Sequence, residues 1–276
     1  MIISKTPFRI SFLGGGTDLP SHFRRRGGAV LSTTIDKYMY VAVNARFEDT
    51  IRVAYTRTEI VESLDELQHE LVREALRLVG VDRGVEVVTI ADIPAGTGLG
   101  SSSSLTVGLL HALYAYTGRF VSRERLAREA CHIEIDVLGH PIGKQDQYAA
   151  AYGGLNFIRF NSDDSVFVEP VICAPEVKRK LFDSLLLFYT GMRRRAGSIL
   201  AEQAKRSRER EAALDRLAEL AEEGREVLGR GDLAAFGRLL HEGWKLKRTL
   251  ASGISRPEID AWYEAAREAG ALGGKI

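Results

Sequence analysis

The stretch Pro94-Ala95-Gly96-Thr97-Gly98-Leu99-Gly100-Ser101-Ser102-Ser103-Ser104 constrains the fold of this chain more than any other. An apolar, β-branched run at 85–90 precedes it, and a helix-forming run at 105–116 follows. The predicted order is strand, glycine-rich loop, helix. Three glycines let the backbone turn tightly and approach a ligand without Cβ clashes. The loop opens on a helix N-terminus, where unpaired N–H groups and the positive dipole end favour an anion such as phosphate. Four serines add hydroxyl donors and a hard-oxygen metal ligand. Glycine and serine clusters are also ordinary loops, and Ser is an ordinary N-cap, so the reading leans on the rest of the chain. No Gly-Lys-Ser/Thr follows, so this is not a Walker A loop. Gly96, Gly98 and Gly100 alternate strictly, unlike the G-x-G-x-x-G of a dinucleotide fold.

Residues 1 to about 60 alternate as strands do, with Phe8, Ile10 and Phe12 on one face. Leu64, Leu67, Leu71, Ala75 and Leu78 form one stripe and predict a helix over 64–79. Ser122 is placed to cap a helix running to about Leu138, which Gly139-His140-Pro141 stops. Strands return at 155–160 and 166–171, and 185–189 reads as a buried strand. A charged helical region is predicted over 198–228. Asp232 caps a helix to Leu250, and Ser255-Arg256-Pro257-Glu258 has capping-box form ahead of a last helix stopped by Gly270. The domain boundary is read at 165/166.

Two further constellations stand out. Thr6-Pro7-Phe8-Arg9-Ile10-Ser11-Phe12-Leu13-Gly14-Gly15-Gly16-Thr17-Asp18 is a strand running into three glycines and a Thr-Asp pair. Taken alone, Arg9 reads as an edge-strand arginine reaching solvent and Asp18 as a turn residue. The other is Cys131-His132-Ile133-Glu134-Ile135-Asp136 followed by Gly143-Lys144-Gln145-Asp146-Gln147-Tyr148 and Tyr152-Gly153-Gly154. Glu134 lies between apolar neighbours on a predicted helix, and a buried carboxylate needs Arg, Lys or a metal as partner. His132 and His140 lack a second ligand at metal spacing and read as structural.

These three elements, in this order, resemble the GHMP kinases, named for galacto-, homoserine, mevalonate and phosphomevalonate kinases. Within that superfamily the stretches Arg9–Asp18 and Gly143–Ala150, with Tyr189-Thr190-Gly191, are most like the kinases of D-glycero-D-manno-heptose 7-phosphate. The resemblance implies an α+β fold of two lobes: a ribosomal protein S5 domain 2-like N-terminal lobe over 1–165 and a ferredoxin-like C-terminal lobe over 166–276, with the active site in the cleft between them. It implies ATP as phosphoryl donor, held by Pro94, Gly96, Gly98, Leu99, Gly100 and Ser101 to Ser104. It implies Mg²⁺ on Glu134 and Ser101 or Ser102, with Ser102 taken as the ligand. Asp146 matches the family's catalytic Asp, and Arg9 the basic residue paired with it. Gly16, Thr17 and Asp18 match the sugar site. The sequence ends at Ile276, before the family's third glycine-rich motif, and the C-terminal domain is read as truncated there.

A phosphorylated sugar substrate needs a cation for its far phosphate, and Arg suits one through its bidentate fork. Arg24–Arg26 and Arg193–Arg195 are the candidates; Arg193 is preferred because it opens a helix. The other readings kept are a fucokinase- or galactokinase-like anomeric sugar kinase and a non-catalytic relative that binds sugar or nucleotide. A net charge of +1 gives no electrostatic case for nucleic acid or an anionic membrane. No long apolar stretch marks a signal peptide or a membrane span. Cys131 and Cys173 lack ligand spacing and read as buried fillers of a reduced, cytoplasmic protein. Oligomeric state is left open, and a homo-oligomer is compatible with everything above.

Overall fold

The computed structural model describes residues 1–191 and 196–276. In chain order these form β1 (Ile2–Leu13), α1 (Pro20–Arg26), β2 (Gly28–Ala45), β3 (Ile51–Ala54), β4 (Thr58–Val61), α2 (Glu70–Val79) and β5 (Val85–Ala91). Then come α3 (Ser101–Tyr116), α4 (Arg123–Cys131), α5 (Gln145–Tyr152), β6 (Leu155–Phe160) and β7 (Val166–Pro170). The remaining elements are helical: α6 (Pro175–Asp183), α7 (Ala196–Lys205), α8 (Glu211–Arg230), α9 (Leu233–Arg248) and α10 (Pro257–Glu268). The mixed content is that of an α+β protein. No described helix is long and apolar enough to cross a membrane.

The chain divides into two compact units, neither contiguous in sequence. One comprises residues 1–9, 34–140 and 146–153; the other comprises 10–33, 141–145 and 154–276. In the first, the strand order is β4-β3-β5-β2. Residues 39–45 of β2 run antiparallel to β5, and β3 runs parallel to it. Val41, Val43, Val53, Val85 and Val87 alternate with less buried residues and join one core with Leu71, Leu76, Leu109 and Leu113 of α2 and α3. The β-branched alternation that predicted these strands is what lets one face of them be covered.

Gly108 sets the fit of α3 against β1 in this unit. A Cβ there would lie 2.8 Å from Thr6 Oγ1 and 3.3 Å from Ser4 Oγ, and the Ser4 hydroxyl donates to the Gly108 carbonyl at 2.8 Å. In the second unit, residues 28–33 of β2 pair antiparallel with β6, which pairs with β7. Phe12, Leu31, Phe157, Leu217, Leu220, Phe236 and Trp244 fill its core.

Several local expectations are corrected. Residues 64–66 form a 3₁₀ turn, and the helix starts only at Glu70, because the Gln68 N–H is taken by the Glu59 carboxylate at 2.6 Å instead of continuing a helix. The helix capped by Ser122 changes at His132 into a π-helical turn reaching Val137. The run 185–189 is not a buried strand: no described strand pairs with it, and Leu186, Leu187, Phe188 and Tyr189 are exposed. The region 198–228 holds two helices, broken at 206–210. Ser255 does not cap α10; its hydroxyl donates to Asp260, and Arg256 occupies the cap position. Cys173 is half-buried, whereas Cys131 is buried. Asp232 does cap α9, accepting from Ala235 N at 2.8 Å.

Because even a Cβ at Gly108 would come 2.8 Å from Thr6 Oγ1, Gly108→Val should lower stability by about 1–3 kcal/mol through overpacking. A urea titration of the variant checks this; an unchanged midpoint would contradict the tight fit.

Candidate active site

Residues 94–104 run from the end of β5 to the start of α3. Gly96, Gly98 and Gly100 take φ of +83°, +77° and +77°. Each is a left-handed conformation that a residue with a Cβ adopts only under strain. Pro94 and Gly96 are exposed, and Leu99 is half-buried against the core of the first unit. Ser101, Ser102 and Ser103 open α3, so their N–H groups have no partner within the helix. Ser104 differs. Its N–H donates to the Gly100 carbonyl at 2.9 Å as the first intrahelical bond of α3, and its hydroxyl donates to the Pro7 carbonyl at 2.9 Å, tying α3 to β1.

Arg9 on β1 is 9% exposed rather than solvated. Its Nε donates to Asp146 Oδ1 at 2.7 Å, and a second guanidinium nitrogen lies 2.6 Å from the same oxygen. The third nitrogen donates to the Gly98 carbonyl at 2.8 Å, and the Arg9 N–H to the Leu99 carbonyl at 3.1 Å. One side chain thus ties the loop to the first turn of α5. A Cβ on Gly100 would come 3.3 Å from Arg9 Cγ and 3.5 Å from Asp146 Oδ2. The carboxylate and the glycine loop are therefore in near contact.

Glu134 sits in the π-helical turn and has no exposed surface. Ser102 and Ser103 donate to its two oxygens, the latter at 2.8 Å, and Gln147 Nε2 donates to Oε2 at 2.6 Å. Burial pushes its carboxyl above the ordinary range; the three hydrogen bonds pull it down, and the Asp146 charge adds to the rise. Among the described residues no cation is within ion-pair distance of it. No described group of three His, Cys, Asp or Glu is placed to hold a metal. A carboxylate with only neutral donors beside an exposed serine hydroxyl is still a fitting start for Mg²⁺, which takes few protein oxygens and completes its shell with phosphate and water.

The Gly14–Asp18 turn belongs to the second unit. Asp18 is 2% exposed. Its carboxylate accepts from Gly16 N at 2.9 Å, Gln145 N at 3.2 Å and Gln145 Nε2 at 3.2 Å. Gly143 is required beside it, since a Cβ there would lie 1.9 Å from Asp18 Oδ2. The Thr17 hydroxyl is spent on the Gly14 and Ala29 carbonyls and the Ala29 N–H, so Thr17 shapes the turn. Arg24, Arg25 and Arg26 form surface ion pairs with Asp164, Glu211 and Asp215. Arg193 lies outside the described residues.

Gln145 and Gln147, which flank Asp146 and hold Asp18 and Glu134, carried no role in the sequence reading. Their one signal was position beside a singled-out Asp at a helix start. Lys247 was also missed: its Nζ donates to the Gly15 carbonyl at 2.7 Å and to Gln203 Oε1 at 3.1 Å, and nothing local to α9 marks it.

A raised folded-state value means that the fold holds the Glu134 proton more tightly than the unfolded chain does. Its contribution to stability is whole below the ordinary carboxyl value of about 4.3 and is lost as pH rises through the folded value. Glu134→Gln should therefore gain stability over the parent protein as pH rises from about 4 to 7. Paired thermal melts without divalent ions check this; a gap that stays constant with pH would contradict it.

The GHMP kinases N terminal domain family matches residues 63–154, and the GHMP kinases C terminal family matches residues 217–276. A D-glycero-alpha-D-manno-heptose 7-phosphate kinase of Campylobacter jejuni is 28% identical, over 99% of this chain and 85% of that protein. A bifunctional fucokinase/GDP-fucose pyrophosphorylase of Arabidopsis thaliana is 27% identical over 94% of this chain, which spans 27% of that longer protein. The crystal structure of a D-glycero-D-manno-heptose 1-phosphate kinase from Bacteroides thetaiotaomicron aligns with a TM-score of 0.83 at 27% identity, covering 100% of this chain and 85% of that one. With its N- and C-terminal domain families both matched and the fold shared along its whole length, this chain belongs to the GHMP kinases.

Proposed function

We propose that this ATP-dependent sugar kinase phosphorylates the anomeric hydroxyl of D-glycero-D-manno-heptose 7-phosphate, giving the 1,7-bisphosphate. The observation that carries the chemistry is the Arg9–Asp146 pair bound to the glycine loop. Phosphoryl transfer asks a protein mainly for in-line positioning and charge neutralisation. The N–H groups of Ser101 to Ser103 and the open backbone of Gly96 to Gly100 hold the ATP phosphates. Asp146 takes the proton of the attacking hydroxyl as its oxygen bonds to the γ-phosphorus and the bond to the ADP oxygen breaks. Arg9 keeps that carboxylate in place and offsets charge on the transferring group. Asp18 accepts sugar hydroxyls in the turn built by Gly16 and Thr17, and Gln145, which donates to it, is followed directly by Asp146. Glu134 and Ser102 would hold Mg²⁺, which when bound neutralises phosphate charge. The sugar assignment draws on the Campylobacter jejuni and Bacteroides thetaiotaomicron relatives. The Arabidopsis thaliana relative favours fucose-type sugars as the second reading.

An ADP-release assay over a panel of heptose, heptose 7-phosphate, heptose 1-phosphate, fucose and galactose decides among these. The highest kcat/KM is expected with heptose 7-phosphate; a preference for a plain sugar would transfer the assignment to the fucokinase-like reading. Asp146→Asn should lower kcat by about 10²- to 10⁴-fold, the usual worth of a positioned base, with little change in ATP binding. Near-native turnover in that variant would remove Asp146 from the chemistry. Glu134→Ala should raise the Mg²⁺ concentration needed for half-maximal rate, and an unaltered Mg²⁺ titration would contradict its role.

A further inference from the structure

The backbone of the Gly14–Asp18 turn faces a set of donors that neither the family match nor the chemistry above uses. A Cβ on Gly16 would lie 2.0 Å from Gln203 Nε2 and 2.9 Å from Lys247 Nζ. A Cβ on Gly15 would lie 3.2 Å from Ser11 Oγ and 3.7 Å from Lys275 Nζ. At Gly16, whose φ is +107°, these groups come in where a side chain would stand; at Gly15 they stand at contact distance. A small crevice beside them is lined by Gly14, Gly15, Trp244, Lys247 and Lys275. Gln203 and Trp244 are each 1% exposed, yet Gln203 Nε2 and Trp244 Nε1 have no hydrogen-bond partner among the described residues. Native proteins seldom leave buried donors unmet, because each costs about 1–3 kcal/mol. Gln203 Nε2 beside Gly16, with Trp244, Lys247 and Lys275 along the crevice, presents donors to one turn, and an anion can accept from all of them.

We propose that Lys247 and Lys275, with Gln203 and Trp244 as neutral donors, form the subsite that binds the phosphate already present on the sugar substrate. This rests on the reading of the Gly14–Asp18 turn as the sugar site. Asp18 takes the hydroxyls of the sugar, and the two lysines take its dianionic end. Of the arginine runs, Arg24–Arg26 is held in ion pairs with surface carboxylates, whereas Lys247 and Lys275 bring their ammonium groups within 4 Å of where Cβ atoms on Gly16 and Gly15 would stand. Lys247 is placed for the task by its bonds to the Gly15 carbonyl and to Gln203 Oε1, which fix its ammonium at the turn. Lysine binds phosphate as a point charge, so its position matters more than a planar match.

The test compares kcat/KM for heptose 7-phosphate with that for unphosphorylated heptose in the parent protein, Lys247→Met, Lys275→Met and the Lys→Arg variants. Charge-assisted bonds to phosphate imply that each Met variant lowers the phosphorylated-to-plain ratio about tenfold or more, and that Arg restores most of it. A merely structural lysine would depress both substrates together and leave the ratio alone. If the parent protein shows no preference for the phosphorylated sugar, the reading of the substrate falls and the subsite with it. If the preference is present but survives both Met substitutions, the subsite alone is overturned. Lys275 lies in the C-terminal segment, outside the hydrophobic core of its unit, so its variant stays informative even if Lys247→Met folds poorly.

Discussion

The Arg9 guanidinium donates at once to the Asp146 carboxylate and to the carbonyl of Gly98, while its own backbone N–H holds Leu99. Three stretches far apart in sequence meet through this residue. A single arginine can do this because its five donors stand in a fixed planar fork. Both members of the pair are largely withdrawn from water, with 11% and 25% of their side chains exposed, so removing either leaves the other poorly compensated. The left-handed glycines matter for the same reason: a Cβ at Gly100 would crowd Arg9 at 3.3 Å and touch Asp146.

Glu134 depends on that arrangement from the other side. Ser102 and Ser103 reach it from the first turn of α3, and Gln147 reaches it one residue past Asp146. Its carboxyl is fully desolvated and is met by neutral donors alone, which stores electrostatic demand rather than cancelling it. The π-helical turn that carries it is a rare local form that recurs where function fixes a side chain's position. In the second unit the Gly14–Asp18 turn follows a similar rule: Gly143 leaves room for the Asp18 carboxylate, and Gly15 and Gly16 leave room for Ser11, Gln203, Lys247 and Lys275.

Much of the local chemistry was legible in the sequence. The alternating glycines, the Ser122 and Asp232 caps, and the strands read at 85–90 and 155–160 follow from backbone preferences and hydrophobic period, which act within a few residues. The three motifs carried the family because they hold specific residue types in a specific order. Tertiary structure decided what depends on partners distant in the chain. Leu185 to Tyr189 has the composition of a strand, but a strand needs a neighbour to satisfy its backbone, and no described strand supplies one. The 3₁₀ turn at 64–66 gave up helix because Glu59, on another element, captured the next N–H. That Arg9 faces Asp146 rather than solvent, that the Ser104 hydroxyl reaches β1 and that Lys247 reaches the Gly15 carbonyl were decided by contacts between residues 97 to 232 positions apart, which no local pattern encodes.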